Sequence, residues 1–315
     1  MSEQVLAEAV MVHEVGPERA ADVVGVVHAA FGARPALDPP STATDETVES
    51  VAEVLAAHRG LLATSGPVPV GALLLEPDGR LLRMRRVSVD PQAQNAGVAG
   101  AMIGTAERIA AEEGYDGLVL AARAELPATV DFWYHLGYDE LSRRGSCLTM
   151  AKALPIETTA VTAEDTRRLG ERLAGVLRAG DLVILSGDLG AGKTTFTQGL
   201  GEGLGVRGGV TSPTFVISRV HPSLVGGPAL VHVDAYRLGG IEELDDLDLD
   251  TSLDEAVTVV EWGEGVAEGL AETRLEVSLT RPVGGDPTGE TDPRHVRITP
   301  VGARWIGAGL HEALA

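Results

Sequence analysis

Leu182-Val183-Ile184-Leu185-Ser186-Gly187-Asp188-Leu189-Gly190-Ala191-Gly192-Lys193-Thr194-Thr195 decides how this chain is read. The consecutive apolar residues read as a short buried strand. Gly187 to Thr194 then fit G-x-x-x-x-G-K-[ST], and a helical pattern runs on from Lys193 to Leu204. Glycines let successive backbone N–H groups converge on an anion without Cβ clashes. The helix start adds free N–H donors and a favourable dipole. The spacing therefore predicts that Asp188, Leu189, Gly190, Ala191, Gly192, Lys193, Thr194 and Thr195 surround the phosphates of ATP. Lys193 should reach the β- and γ-phosphates and the Thr194 hydroxyl should bind Mg²⁺. The chain has 2 lysines against 23 arginines. Where it does use lysine, a slim ammonium fits a space that a planar guanidinium would not.

Working outward, two apolar runs end in an acid: Leu230-Val231-His232-Val233-Asp234 and Val257-Thr258-Val259-Val260-Glu261. Ligands of open α/β sheets sit beyond the carboxyl ends of the strands. If both strands run parallel to the one before Gly187, Asp234 and Glu261 reach the phosphate edge. One would join Thr194 around Mg²⁺, and the other would orient the attacking water. The expected catalytic set is Lys193, Asp234 and Glu261, and the expected metal set is Thr194, Asp234 and Glu261. Further strands are expected from Phe215 to Val220 and from Arg274 to Thr280 paired with His295 to Thr299. Thr162-Ala163-Glu164-Asp165 signals a helix start, with Leu169, Leu173, Val176 and Leu177 at helical spacing, and a closing helix is expected from Ala303 to Ala313. The order predicts an α/β domain with a mostly parallel sheet.

These residues resemble the TsaE family, the small P-loop ATPases of bacterial tRNA threonylcarbamoyladenosine synthesis. The resemblance rests on the loop through Phe196, on Thr211-Ser212-Pro213-Thr214-Phe215, on His232-Val233-Asp234-Ala235-Tyr236-Arg237-Leu238 and on Val260-Glu261-Trp262. It implies that Ser212 to Thr214 form a switch-like loop near the γ-phosphate, with Thr214 and Trp262 at the nucleotide. It also implies the partners TsaB and TsaD, which would bring tRNA to the chain indirectly. Gly263 stands where the family usually has proline, which would loosen the loop there. The acidic stretch from Glu242 to Asp250 reads as a solvated face or part of a partner surface. Two other readings of the site stay open: a small-molecule kinase, and a nucleotide-gated binding module.

With 315 residues, two domains are expected, 1–153 and 154–315. In the first, Leu81 to Val89 reads as a strand and Val98 to Glu113 as a helix, followed by a strand from Gly117 to Ala121. Gln94-Asn95-Ala96-Gly97-Val98-Ala99 lies between the first strand and the helix, a setting that suits a pyrophosphate turn. Together with Asp131-Phe132-Trp133-Tyr134-His135-Leu136-Gly137-Tyr138, this resembles the GNAT acetyltransferases, a mixed α/β fold. The resemblance implies acetyl-CoA against Val89, Gln94, Asn95, Ala96, Gly97, Val98 and Ala99. It also puts Trp133 where many members carry the tyrosine that protonates the departing thiolate; an indole cannot do this.

The net charge is −21. Non-specific nucleic-acid binding needs Lys and Arg against phosphate, so this composition argues against it. A single cysteine, Cys147, excludes an intrachain disulfide, and it reads as a small core residue. The first residues carry acids and no basic segment, and no apolar run approaches ~20 residues. A cytoplasmic location is expected.

Overall fold

The computed structural model describes residues 9–237, 254–281 and 292–314. It divides into two compact units, Met1–Lys152 and Ala153–Ala315. The acidic stretch from Glu242 to Asp250 and the Gly/Pro-rich segment after Arg281 lie outside the described residues.

The N-terminal unit is a mixed seven-stranded sheet with helices on both faces. Its strands are β1 (Val10–Val15), β2 (Arg59–Ser65), β3 (Val68–Asp78), β4 (Leu81–Val89), β5 (Gly117–Arg123), β6 (Asp139–Arg144) and β7 (Cys147–Ala153), in the order β1-β2-β3-β4-β5-β7-β6. Helices α1 (Ala20–Gly32) and α2 (Val48–Ala57) share a core with Leu62, Ala72 and Leu74. Helix α3 (Val98–Glu112) covers the other face, where Val98 and Met102 crowd so closely on Gly71 that a Cβ there would lie 2.7 Å from Val98. Helix α4 (Pro127–His135) follows β5.

Two irregularities open this sheet. The β3–β4 register shifts between Ala72 and Leu74, and Arg86 takes φ 52° there, forming a β-bulge. Parallel β4 and β5 pair only from Leu81↔Gly117 to Met84↔Leu120, although β4 continues to Val89 and β5 to Arg123. Beyond that point the strands part, leaving the end of β4 free of its neighbour. Cys147 is exposed, not in the core: it opens β7 just after the Gly145 turn, before the inward alternation of Leu148 and Met150 begins.

The C-terminal unit has strands β8 (Ile156–Ala160), β9 (Leu182–Ser186), β10 (Ser218–His221), β11 (Ala229–Asp234), β12 (Ala256–Glu261), β13 (Arg274–Thr280) and β14 (Arg294–Val301). Their order is β10-β11-β12-β9-β13-β14-β8, and β11, β12, β9 and β13 run parallel in the centre. Such strands bury both faces. Val183, Leu185, Val257 and Val259 pack with α5 (Ala163–Ala174) and α6 (Lys193–Gly203), while Leu182, Ile184 and Val260 pack on the opposite side.

Helix α5 starts at a capping box: Thr162 Oγ1 accepts from the Asp165 N–H at 3.1 Å, and the Asp165 carboxylate accepts from the Thr162 N–H at 3.0 Å. It ends at Ala174, earlier than the spacing of Val176 and Leu177 suggests. The amides of Gly175, Val176 and Leu177 turn back to carbonyls three residues earlier, a tightened last turn that still buries Leu177. The expected closing helix is likewise interrupted. A 3-10 turn at Ala303–Trp305 and a short α7 (Leu310–Leu314) flank Gly307 and Gly309, which take φ 68° and 78°.

Helices α5 and α6 approach through glycine. A Cβ on Gly170 would lie 2.2 Å from the Phe196 carbonyl, and one on Gly199 would lie 1.8 Å from the Arg167 carbonyl. Since backbone cannot yield as a side chain does, Gly199→Ala should lower unfolding free energy by about 1–3 kcal/mol or more, the range for overpacking. Urea denaturation checks this, and an unchanged midpoint would contradict the close crossing.

Candidate functional site

Parallel register sets the phosphate site. Asp234 pairs across from Glu261, and Glu261 from Leu185, so β11, β12 and β9 end level with one another. The loop that follows β9 turns through Gly187 at φ 133° and Gly192 at φ 107°, the latter being the N-cap of α6. A Cβ on Gly187 would lie 2.2 Å from the Leu279 carbonyl on β13, so no larger residue fits.

Lys193, the first residue of α6, is 5% exposed. Its Nζ donates to the Gly187 carbonyl at 2.6 Å and the Asp188 carbonyl at 3.0 Å, and it sits 3.6 Å from the centre of the Trp262 ring. Burial pulls the ammonium below its usual pKa, while the charges of Glu261, Asp234 and Asp188 oppose that shift. Thr194 Oγ1 donates to Glu261 Oε2 at 3.1 Å. The other oxygen of Glu261 meets His232 Nε2 at 2.8 Å, a contact buried on both sides. Asp234 Oδ2 accepts from Ser212 at 3.1 Å and from Thr214, and its Oδ1 accepts from the Tyr236 N–H at 3.1 Å. The Tyr236 ring packs on Trp262, which takes φ 60°. The donor set is hard oxygen, from one hydroxyl and two carboxylates beside an amide-lined loop, and it fits Mg²⁺ with a triphosphate.

Lys193, Thr194, Asp234, Glu261, Thr214 and Trp262 thus converge. Leu189 differs: it is 88% exposed at the loop tip. The segment expected as a strand from Phe215 begins only at Ser218, because the Pro213 carbonyl captures the amides of both Val216 and Ile217 and winds the chain into a turn. Phe215 is left 86% exposed. Gly263 does not loosen its loop. It is buried, and a Cβ there would meet Val260, Ile184 and Ala267 at 2.9–3.1 Å.

Two contributors were missed from sequence. His232 orients Glu261. Arg294, 7% exposed, donates to the Ala191 carbonyl at 2.9 Å and the Gly190 carbonyl at 3.3 Å and is clamped by Asp292, so it braces the loop from behind. The signal was present: in β14 Arg294 shares the inward alternation of Val296 and Ile298.

In the N-terminal unit a cavity of about 450 Å³ lies at the opened strands. Val89, Gln94, Asn95, Gly97, Val98 and Ala99 line it; Ala96 does not. Gly97 is the N-cap of α3 at φ 77°, with no atom within 4 Å of where a Cβ would stand, and the helix start from Gly97 to Gly100 lines the cavity. Trp133 lines the same cavity and is 4% exposed. Neither Tyr134, which is half exposed, nor Tyr138, whose hydroxyl points to Glu107 at 3.4 Å, lines it.

The arrangement in the C-terminal unit is that of a P-loop nucleotide site. The family model described as threonylcarbamoyl adenosine biosynthesis protein TsaE matches residues 160–285, and that of the acetyltransferase (GNAT) family matches residues 33–138. The TsaE protein of Streptomyces coelicolor is 66% identical over 145 residues, which are 46% of this chain and 96% of the relative. The Bacillus subtilis TsaE is 39% identical over 146 residues, 46% of this chain and 85% of the relative. The crystal structure of Bacillus subtilis YdiB matches with 34% identity and TM-score 0.40, covering 51% of this chain and 93% of that one. The chain belongs to the TsaE family through its C-terminal unit, and its N-terminal unit is GNAT-like.

Arg294→Met keeps the bulk of the side chain and removes the donors to two loop carbonyls. It should lower unfolding free energy by about 1–3 kcal/mol, measured by chemical denaturation. Full stability would mean that the loop does not depend on this brace.

Proposed function

We propose that the C-terminal unit binds and hydrolyses ATP–Mg²⁺ as the ATPase of tRNA threonylcarbamoyladenosine synthesis, acting with TsaD and TsaB in the cytoplasm. We also propose that the N-terminal unit binds acetyl-CoA and acetylates an amine. The observation that carries the first reading is Glu261, which joins the Thr194 hydroxyl at the start of α6 to the end of β12. The relatives' function in this modification pathway supports the same assignment.

In this reading the α6 amides and Lys193 bind the β- and γ-phosphates, and Thr194, Glu261 and Asp234 hold Mg²⁺. The metal would supply charge neutralisation at the phosphate oxygens. His232 occupies one oxygen of Glu261, which turns the other toward Thr194, the hydroxyl that would share the metal with it. Asp234 couples the site to Ser212 and Thr214, so a change at the γ-phosphate would be felt by the Ser212–Thr214 loop and passed to a partner. The acidic composition fits a subunit that leaves tRNA binding to its partners.

For the N-terminal unit, the Gly97 turn and the free edge of β4 suit the pyrophosphate and pantetheine of acetyl-CoA. With Trp133 at the usual tyrosine position, protonation of the departing thiolate falls to another donor.

ATP hydrolysis should be measured for the wild type and Lys193→Ala, alone and with TsaB–TsaD. Partner-stimulated turnover, lost on the order of 10²-fold or more in the variant, is expected. Phosphate transfer to a metabolite without partners would instead make the protein a kinase. Tight ATP binding with no turnover in any mixture would make it a nucleotide-gated binding module.

A further inference from the structure

A second cavity of about 450 Å³ adjoins the first on the side of the α1–α2 connection. The two share Arg34, Val87, Leu126, Thr129 and Trp133, so these residues mark the junction where a thioester and its acceptor would meet. The second cavity is ringed by arginines, and most are already neutralised. Arg83 pairs with Asp78, Arg85 with Glu76, Arg86 with Glu46, and Arg123 with Glu125.

Arg34 is different. Among the described residues its guanidinium has no carboxylate partner and no hydrogen bond; it lies 3.8 Å from the centre of the Phe31 ring. Burial depresses its pKa, the sign of a cation taken from water without compensation. A half-buried, unpaired guanidinium is costly to keep, and its fork of donors matches a carboxylate in two-point contact.

We propose that Arg34 anchors a carboxylate on the acetyl acceptor, so that this domain acts on amines bearing a carboxylate near the reacting nitrogen. The inference rests on the acetyltransferase reading above. The acceptor amine attacks the thioester carbon: the C–N bond forms, the C–S bond breaks, the nitrogen loses one proton and the CoA sulfur gains one. An anion at Arg34 could also be a CoA phosphate. The start of α3 at Gly97 suits those phosphates and lines only the first cavity, whereas Arg34 reaches the second, which leaves it for the acceptor. The cavity volume suits a small metabolite or the end of a chain.

The test is calorimetric titration of the full chain, first with CoA, then of the CoA-loaded protein with carboxylate-bearing amines. The probes are glycine, β-alanine, γ-aminobutyrate and the dipeptide Ala-Glu, each against its counterpart with amides in place of carboxylates. The wild type should prefer at least one carboxylate probe by about tenfold or more, as for a charge-assisted contact. Arg34→Gln should erase that preference while changing CoA affinity less than twofold, and Arg34→Lys should restore part of it. Equal binding of acids and amides by the wild type, or no binding of any probe, overturns the proposal. A loss of CoA affinity in Arg34→Gln without a change in acid preference assigns Arg34 to the cofactor phosphates and overturns it too. Gly97→Glu serves as the CoA-blind control. If the wild type binds CoA no better than that variant, the acetyltransferase reading fails and takes this inference with it.

Discussion

Glu261 is gripped from two directions, by buried His232 on one oxygen and by Thr194 on the other. A carboxylate that is 3% exposed is tolerable only with such partners, since burial of an unpaired charge costs several kcal/mol. The grip fastens the first turn of α6 to the end of β12. Through the β11–β12 register it also sets Asp234 one strand away, where Ser212 and Thr214 attach. The Thr194 hydroxyl, the Glu261 and Asp234 carboxylates and the Ser212–Thr214 turn are therefore linked through one strand register. Lys193 is held within it by two loop carbonyls and the Trp262 face.

The two domains solve a related problem with the same local device. Gly192 and Gly97 are both left-handed N-caps, each starting a helix with no side-chain cap. The surroundings set what each could hold. Around Gly192, parallel strands deliver two carboxylates and the helix start delivers a lysine, a setting that suits a metal-bound triphosphate. Around Gly97, beside a bulged β4 and a parting β5, lies a cavity lined by no carboxylate, a setting that suits an anionic carrier without a metal.

Much of this was legible in the sequence. Period and turn residues placed β4 without error, along with the ends of β9, β11 and β12, and the α/β class followed from them. What failed did so for identifiable reasons. Phe215 and Val216 look like strand residues, but hydrogen bonding to the Pro213 carbonyl overrides their propensity. Cys147 has a core-like side chain, yet it falls beside a turn. The closing helix was read through Gly307 and Gly309, whose positive φ values break it. The alternation of β14 turned Arg294 inward, but the carbonyls it braces belong to a loop a hundred residues earlier, which a linear pattern does not record.

The central claim is that Glu261 belongs to the metal side of a triphosphate site. The direct measurement is ATP affinity with and without Mg²⁺, compared between the wild type and Glu261→Gln. Magnesium should tighten ATP binding by about tenfold or more in the wild type and hardly at all in the variant. An equal gain from Mg²⁺ in both proteins would contradict the account.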